Sequence, residues 1–192
     1  MGPEALRQAF NIRTGASSDF DLNPEVRLPE GRRLRDAAVL VAVTEGRVIL
    51  TKRSSRLKHH PGQIAFPGGK VDPGDNGPIG AALREAREEV GLPPGLVEVL
   101  GTLPPHETVT GYLVTPVLAH LRGGFDAIAE PGEVDEVFSV PLSFVTDPAN
   151  FRVERRRWLG EWRRYYTVPY GPYYIWGATA RILRGLADRL AP

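Results

Sequence analysis

From residue 37 the chain alternates between two kinds of hydrophobic pattern. The runs "AAVLVAV" and "VILTKR" are aliphatic and β-branched, and the short glycine-containing stretch "TEGR" separates them. This predicts a hairpin whose first strand is buried. Similar runs predict strands at residues 97–103, 112–121 and 134–141, and "RRRWLGEWRRYYTVPY" predicts a further hairpin turning near residues 159–161. Two segments change to a helical period. Ile79, Ala82, Leu83, Ala86 and Val90 share one face, with Pro78 suited to the first turn and Gly91 to the C-terminal cap. Thr179, Ile182, Leu183, Leu186 and Leu190 repeat on one face of a last helix, at about residues 175–190. Grouped strands with two main helices predict a mixed sheet covered by helices rather than a regular βαβ series.

Residues 1–35 lack this regularity: a short helix at residues 3–10 is followed by a polar stretch. They are expected to form an arm laid on a single domain of residues 36–192. With 192 residues and 42% hydrophobic content, the chain is long enough for one well-buried core. Its 24 basic and 23 acidic residues nearly cancel, so no global field favours duplex DNA or an anionic membrane as the main partner. The absence of cysteine excludes disulfides, cysteine metal sites and a thiol nucleophile. No apolar run approaches the roughly 18 residues that span a bilayer, and the expected location is the cytosol.

The helix at residues 81–92, "AALREAREEVGL", gathers Glu85 and Glu89 at one edge of its apolar arc, with Glu88 a little further round. Like charges a turn apart repel by about 0.2–0.5 kcal/mol in an isolated helix. A divalent cation would offset that repulsion, and hard ions such as Mg²⁺ are held by one or two carboxylates together with water and phosphate oxygens. The plainer reading is a solvated face neutralised by Arg84 and Arg87. The preceding loop shifts the balance: "FPGGK" sets Gly68 and Gly69 where backbone amides could approach phosphate. Arg84 stands one turn before Glu88 and is placed to pair with it.

The segment "GGKVDPGDNGPIGAALREAREEVGL" resembles the Nudix box. Arg84, Glu85, Ala86, Glu88, Glu89, Gly91 and Leu92 match its second half. The first half departs twice: Asp75 replaces a glutamate, and eight residues rather than seven separate it from Arg84. Both departures are familiar in the coenzyme A pyrophosphatase branch. That branch's upstream signature resembles "ILTKRSSRLKHHPGQIAFPGG", with Leu50, Thr51, Arg53, Ser54, Gly62, Phe66, Pro67, Gly68 and Gly69 in register. Ile49 and Lys58 depart from it, the lysine keeping the charge of an arginine without its planar fork. Together with "LPPHETVTGYLVTPVLAHL" and "YYIWGATARILRGLADRL", the resemblance covers residues 37–190.

The resemblance implies an α/β fold of α+β type, a Nudix-like α/β/α sandwich with a mixed β-sheet. It implies hydrolysis of the diphosphate of coenzyme A or its derivatives with Mg²⁺ or Mn²⁺, giving 3′,5′-ADP and 4′-phosphopantetheine or its acyl form. Glu85 and Glu89 would be metal ligands, and Glu88 a ligand or the group that orients Arg84. A general base would come from "EPGEVDEVFSVPL", with Glu133 preferred over Glu130 and Glu136. The substrate's additional phosphate calls for a cationic subsite, for which Arg53, Lys58 and Lys70 are the candidates, beside Phe66, Gly68 and Gly69. His59, His60 and His106 are candidate acids, although loop histidines more often face solvent. Tyr112, Tyr173 and Trp176 are candidates to stack on adenine, against the commoner role of rings in packing.

Three alternatives stay open at this stage. One is a Nudix pyrophosphatase acting on ADP-ribose, NADH or a nucleoside triphosphate. Another is a nucleic-acid-binding protein using the arginines and rings of "RVERRRWLGEWRRYY", although a half-exposed hairpin has the same composition. The third is a nucleotide sensor without hydrolysis. A small-molecule substrate is the expected partner, with no membrane and no nucleic acid; the oligomeric state stays open, a homodimer included.

Overall fold

The computed structural model describes residues 2–12, 15–28, 31–158 and 160–190. Helix α1 (Pro3–Arg7) runs into a 3₁₀ turn at Gln8–Phe10, and β1 (Ser17–Ser18) follows. Strands β2 (Arg35–Thr44), β3 (Arg47–Arg53), β4 (Ile64–Ala65) and β5 (Gly68–Lys70) lead into α2 (Gly77–Val90). Then come β6 (Val97–Thr102), β7 (His106–Glu107), β8 (Tyr112–Leu121), β9 (Val134–Pro141), α3 (Leu142–Val145), β10 (Arg152–Trp158), β11 (Glu161–Thr167) and α4 (Gly177–Leu190).

Among the described residues nine strands form one mixed sheet along the path β1-β7-β8-β2-β3-β4, with β5 on β2, β6 on β8 and β9 on β3; β10 and β11 form a separate hairpin. The parallel pairing of β2 with β8, from Arg35↔Tyr112 to Val43↔His120, is its spine. Between β2 and β3, Glu45 (φ 48°) and Gly46 (φ 72°) both take the left-handed conformation, the geometry of a two-residue hairpin turn that follows strand twist. Side chains of β2 alternate between two cores. Ala37, Val41 and Val43 join the core that includes Leu183 and Leu186 of α4, while Ala38, Leu40 and Ala42 meet Ala81, Ala82, Ala86 and Val90 of α2. The α/β/α sandwich expected from the sequence follows from this alternation.

Helix α2 closes as expected on Gly91, at φ 69° with its N–H on the carbonyls of Ala86 and Arg87. Its buried face differs from the expected one: Ile79 is 38% exposed, and Ala81 is buried instead. Three alanines in contact with β2 let the helix approach closely, and Ile79 lies in the first turn, outside that contact.

The first residues pack into the α4 side, with Leu6 and Ala9 fully buried and Arg189 donating to the carbonyls of Ala9 (2.9 Å) and Ile12 (2.7 Å). His106, also fully buried, has Nδ1 2.9 Å from Ser17 Oγ and Nε2 3.1 Å from Asp19 Oδ1, which ties β1 to β7. It is a structural clasp with no surface to offer a substrate, which argues against the catalytic acid the sequence suggested. Leu159, named as a turn residue, lies outside the described residues.

Candidate active site

Arg84 organises the acidic face of α2. Nε donates to Asp75 Oδ1 (2.9 Å), Nη2 to Asp75 Oδ2 (3.0 Å) and to the Lys70 carbonyl (3.1 Å), and Nη1 to Glu85 Oε1 (2.8 Å) and Glu88 Oε2 (3.3 Å). Its five N–H donors therefore meet five acceptors. Asp75, the shorter acid at a glutamate position, takes both prongs of the fork and also accepts the Asp72 N–H at 2.8 Å. These bonds hold the Asp75 carboxyl below the ordinary carboxylate value. The two departures from the family pattern thus meet in one ion pair.

Glu89 is 6% exposed, and its Oε2 accepts the Gly68 N–H at 3.0 Å. Burial is the main cause pushing its pKa up to about 7, with the charges of Glu85 and Glu133 adding to it and Gly68 and Arg53 opposing. Burial also raises Glu85, against its bond from Arg84.

The two glycines do something other than cradle an anion. Strand β5 pairs with β2, Ala38↔Gly69 and Val39↔Gly68, and the Gly68 amide is already given to Glu89. A Cβ on Gly69 would lie 2.4 Å from Glu85 Oε1, and one on Gly68 would lie 2.4 Å from the Ala38 carbonyl oxygen. The expectation that their amides meet phosphate is corrected: absent side chains let carboxylates and strand close together. Phe66 is corrected as well. At 3% exposure it packs in the α4-side core and has almost no surface to offer a substrate.

The remaining candidates divide. The carboxylate of Glu133 acts on both Glu85 and Glu89. The loop before it is pinned to the end of α2, Ile128 N–H to Val90 O (3.1 Å) and Glu130 N–H to Glu89 O (3.0 Å). Glu136 instead accepts the Tyr173 hydroxyl at 2.5 Å, while Tyr173 stacks on Phe138 with centroids 3.6 Å apart. Tyr112 has Arg35 over its ring at 4.1 Å, a partner on β2. Arg53 ends β3 with its charge felt by Glu89 and by His60, whereas Lys58 and Lys70 are exposed. His59 and His60 are exposed on the same loop. Sequence reasoning missed Asp75 as the partner of Arg84, although its position within the box was the available signal.

Among the described residues no three acidic or histidine side chains converge into a ready-made metal cage. The donor set nevertheless suits a hard divalent ion held by one or two carboxylates plus water and substrate oxygens. Glu85, Glu89 and Glu133 repel one another across a partly dry site, and a cation there would relieve that repulsion.

Residues 32–162 match the family model described as NUDIX domain. The chain is 44% identical over 172 residues to the Nudix hydrolase NudL of Citrobacter koseri, covering 86% of this chain and 88% of that protein. Against NudL of Escherichia coli K12 it is 43% identical over 159 residues, covering 80% and 81%. A crystal structure of a MutT/nudix family protein from Enterococcus faecalis superposes with a TM-score of 0.52 at 19% identity, over 87% of this chain and 66% of the other, a likeness of fold. Relatives aligned along most of their own length, and a family match running from β2 into the β10–β11 hairpin, make the assignment plain: this chain belongs to the Nudix family.

Proposed function

We propose that this Nudix pyrophosphatase hydrolyses the diphosphate of coenzyme A or its derivatives, releasing 3′,5′-ADP and 4′-phosphopantetheine or its acyl form. The observation that carries the reading is the continuity of the rim. The segment resembling the coenzyme A signature leaves β3 at Arg53, loops through His60 and Gln63, and returns through β4 to Gly68, whose amide holds Glu89.

Nudix hydrolases generally use divalent metals such as Mg²⁺ or Mn²⁺. In this reading Glu85 and Glu89 would hold the ion, with Glu88 beside them. The ion would supply Lewis acidity toward the diphosphate and lower the pKa of an attacking water. Arg84 fixes the positions of Glu85 and Glu88 through its anchor on Asp75. Glu133, exposed and facing the same carboxylates, accepts the proton of the attacking water. Arg53, where the signature-like loop leaves β3, meets a substrate phosphate. A cytosolic location belongs to the same reading; among the described residues no helix is long and apolar enough to cross a membrane.

The test is product identification by mass spectrometry after incubating the protein and Mg²⁺ or Mn²⁺ with coenzyme A, beside ADP-ribose, NADH and nucleoside triphosphates. Selective release of 3′,5′-ADP is expected. Preferential cleavage of another substrate would remove coenzyme A from the reading and leave the pyrophosphatase.

A further inference from the structure

Glu133 is tied by its backbone to two parts of the molecule. Its N–H donates to the Glu130 carbonyl at 3.2 Å, as that of Val134 does at 3.1 Å, and the Glu130 N–H donates to the Glu89 carbonyl at 3.0 Å. On its other side, the Glu133 carbonyl accepts the Ser54 N–H at 2.8 Å, where the chain has just left β3. The residue therefore bridges the end of α2 and the start of the β3–β4 loop.

Beside this bridge the ladder of β3 and β9 slips by one residue. Lys52 pairs with Glu136 and Arg53 with Val134, so Asp135 is an extra residue on β9. Such a bulge re-aims a side chain out of the alternation of its strand. Here the Asp135 carboxylate meets the loop: Oδ2 accepts the Ser55 N–H at 2.8 Å. That bond, with further ones from the Ser54 and Ser55 hydroxyls, holds the Asp135 carboxyl below the ordinary carboxylate value. Ser54 is fully buried, and its Oγ also accepts the Arg56 N–H at 3.3 Å.

Asp135 is exposed and belongs to neither core, so its bonds fix a position rather than a fold. Arg53 is already held without it, its N–H on the Gln63 carbonyl (2.9 Å) and its carbonyl taking the Gly62 N–H (3.0 Å). What the aspartate adds is a link from Ser54 and Ser55 to the stretch immediately after Glu133.

We infer that Asp135 is a positioning residue for the hydrolysis: it clamps the start of the β3–β4 loop to β9 and so fixes where the Glu133 carboxylate stands beside α2. The inference rests on the reading of Glu133 as proton acceptor and is independent of which diphosphate is cut. Without the clamp, the Ser54–Glu133 bond alone would join the two segments, and a base that drifts loses its alignment with the attacking water.

The test has a structural arm and a kinetic arm. Amide exchange by NMR, on the intact chain in chelator, should quicken about tenfold in Asp135→Ala at Ser54, Ser55, Glu133 and Val134, with α4 unchanged. With Mg²⁺ and the diphosphate substrate that the product panel identifies, kcat of Asp135→Ala should fall about tenfold while KM stays within about twofold. Asp135→Asn keeps an acceptor for the Ser55 N–H and should reverse most of both effects. In a Glu133→Gln background, Asp135→Ala should lower kcat by less than about twofold further, because the group it positions is gone. Exchange that is unchanged or quickens at Ser55 alone, an unchanged kcat, or an equal loss of kcat in both backgrounds overturns the inference. Full activity of Glu133→Gln by itself removes the base reading, a failure separate from that of the clamp, which the exchange arm then decides.

Discussion

The Arg84 guanidinium and the Asp75 carboxylate form a two-pronged ion pair, Nε to Oδ1 at 2.9 Å and Nη2 to Oδ2 at 3.0 Å. Asp75 lies just before α2, so this pair fixes the loop to the helix and leaves Nη1 to hold Glu85 and Glu88. Asp75→Ala should lower kcat by about 10- to 100-fold through misplaced carboxylates, the scale seen when supports of metal ligands are removed. Its KM for the diphosphate substrate should change little. An unchanged kcat would show that Glu85 and Glu88 keep their places without the anchor.

Glu89 makes the metal-free protein sensitive to pH. Its pKa rises from 4.5 when unfolded to about 7 when folded, so between these values the folded state holds a proton that the unfolded chain has released. Stability is therefore greatest below the lower value and falls as pH climbs to the upper one, by about 3 kcal/mol in all. Thermal melts in chelator should show this decline for wild type. Glu89→Gln should flatten it, raising Tm at pH 8 by about 5–10 °C while reducing turnover by at least about a thousandfold. Equal slopes for the two proteins would contradict this account of Glu89.

The neighbouring glycines should separate activity from stability. Gly69→Ala pushes a methyl group against Glu85 Oε1, the end of a side chain that can move. Turnover should fall steeply, with a stability loss of about 1 kcal/mol. Gly68→Ala meets the Ala38 carbonyl, which belongs to the central strand, and should cost about 3 kcal/mol or more. Urea unfolding beside a turnover assay distinguishes the two, and the reverse ranking in stability would be evidence against the close approach of β5 and β2.

Glu133→Gln tests the proposed base. The change removes a proton acceptor while keeping size, so kcat should drop by about 10²- to 10⁴-fold with KM little changed. An unchanged kcat would point to another acceptor near α2.

Much of the architecture was legible because the side chains carried it. β8 and β9 occupy the predicted residues, since alternating or continuous apolar runs signal strands, and Gly91 marks the helix end through its left-handed backbone. β5 was invisible for the opposite reason: Gly68 and Gly69 have no side chains to pattern, and only the pairing with β2 makes them a strand. Phe66 shows how a motif position misleads, since a residue in a functional signature can be kept there by packing. The pairing of Arg84 with Glu88 one turn on was readable from spacing, whereas the two-pronged bond of Arg84 to Asp75 depends on the loop before α2 folding back, which no local pattern encodes.

The parallel spine also sets an order of assembly. β2 cannot complete its ladder until residues 112–120 arrive, and the whole of α2 lies inside the loop that this pairing closes. Closing so long a loop is slow compared with forming the β2–β3 turn or α2 itself. The carboxylates therefore acquire their dry, strand-backed setting late in folding, and a growing chain carries the complete motif well before it can carry out the chemistry.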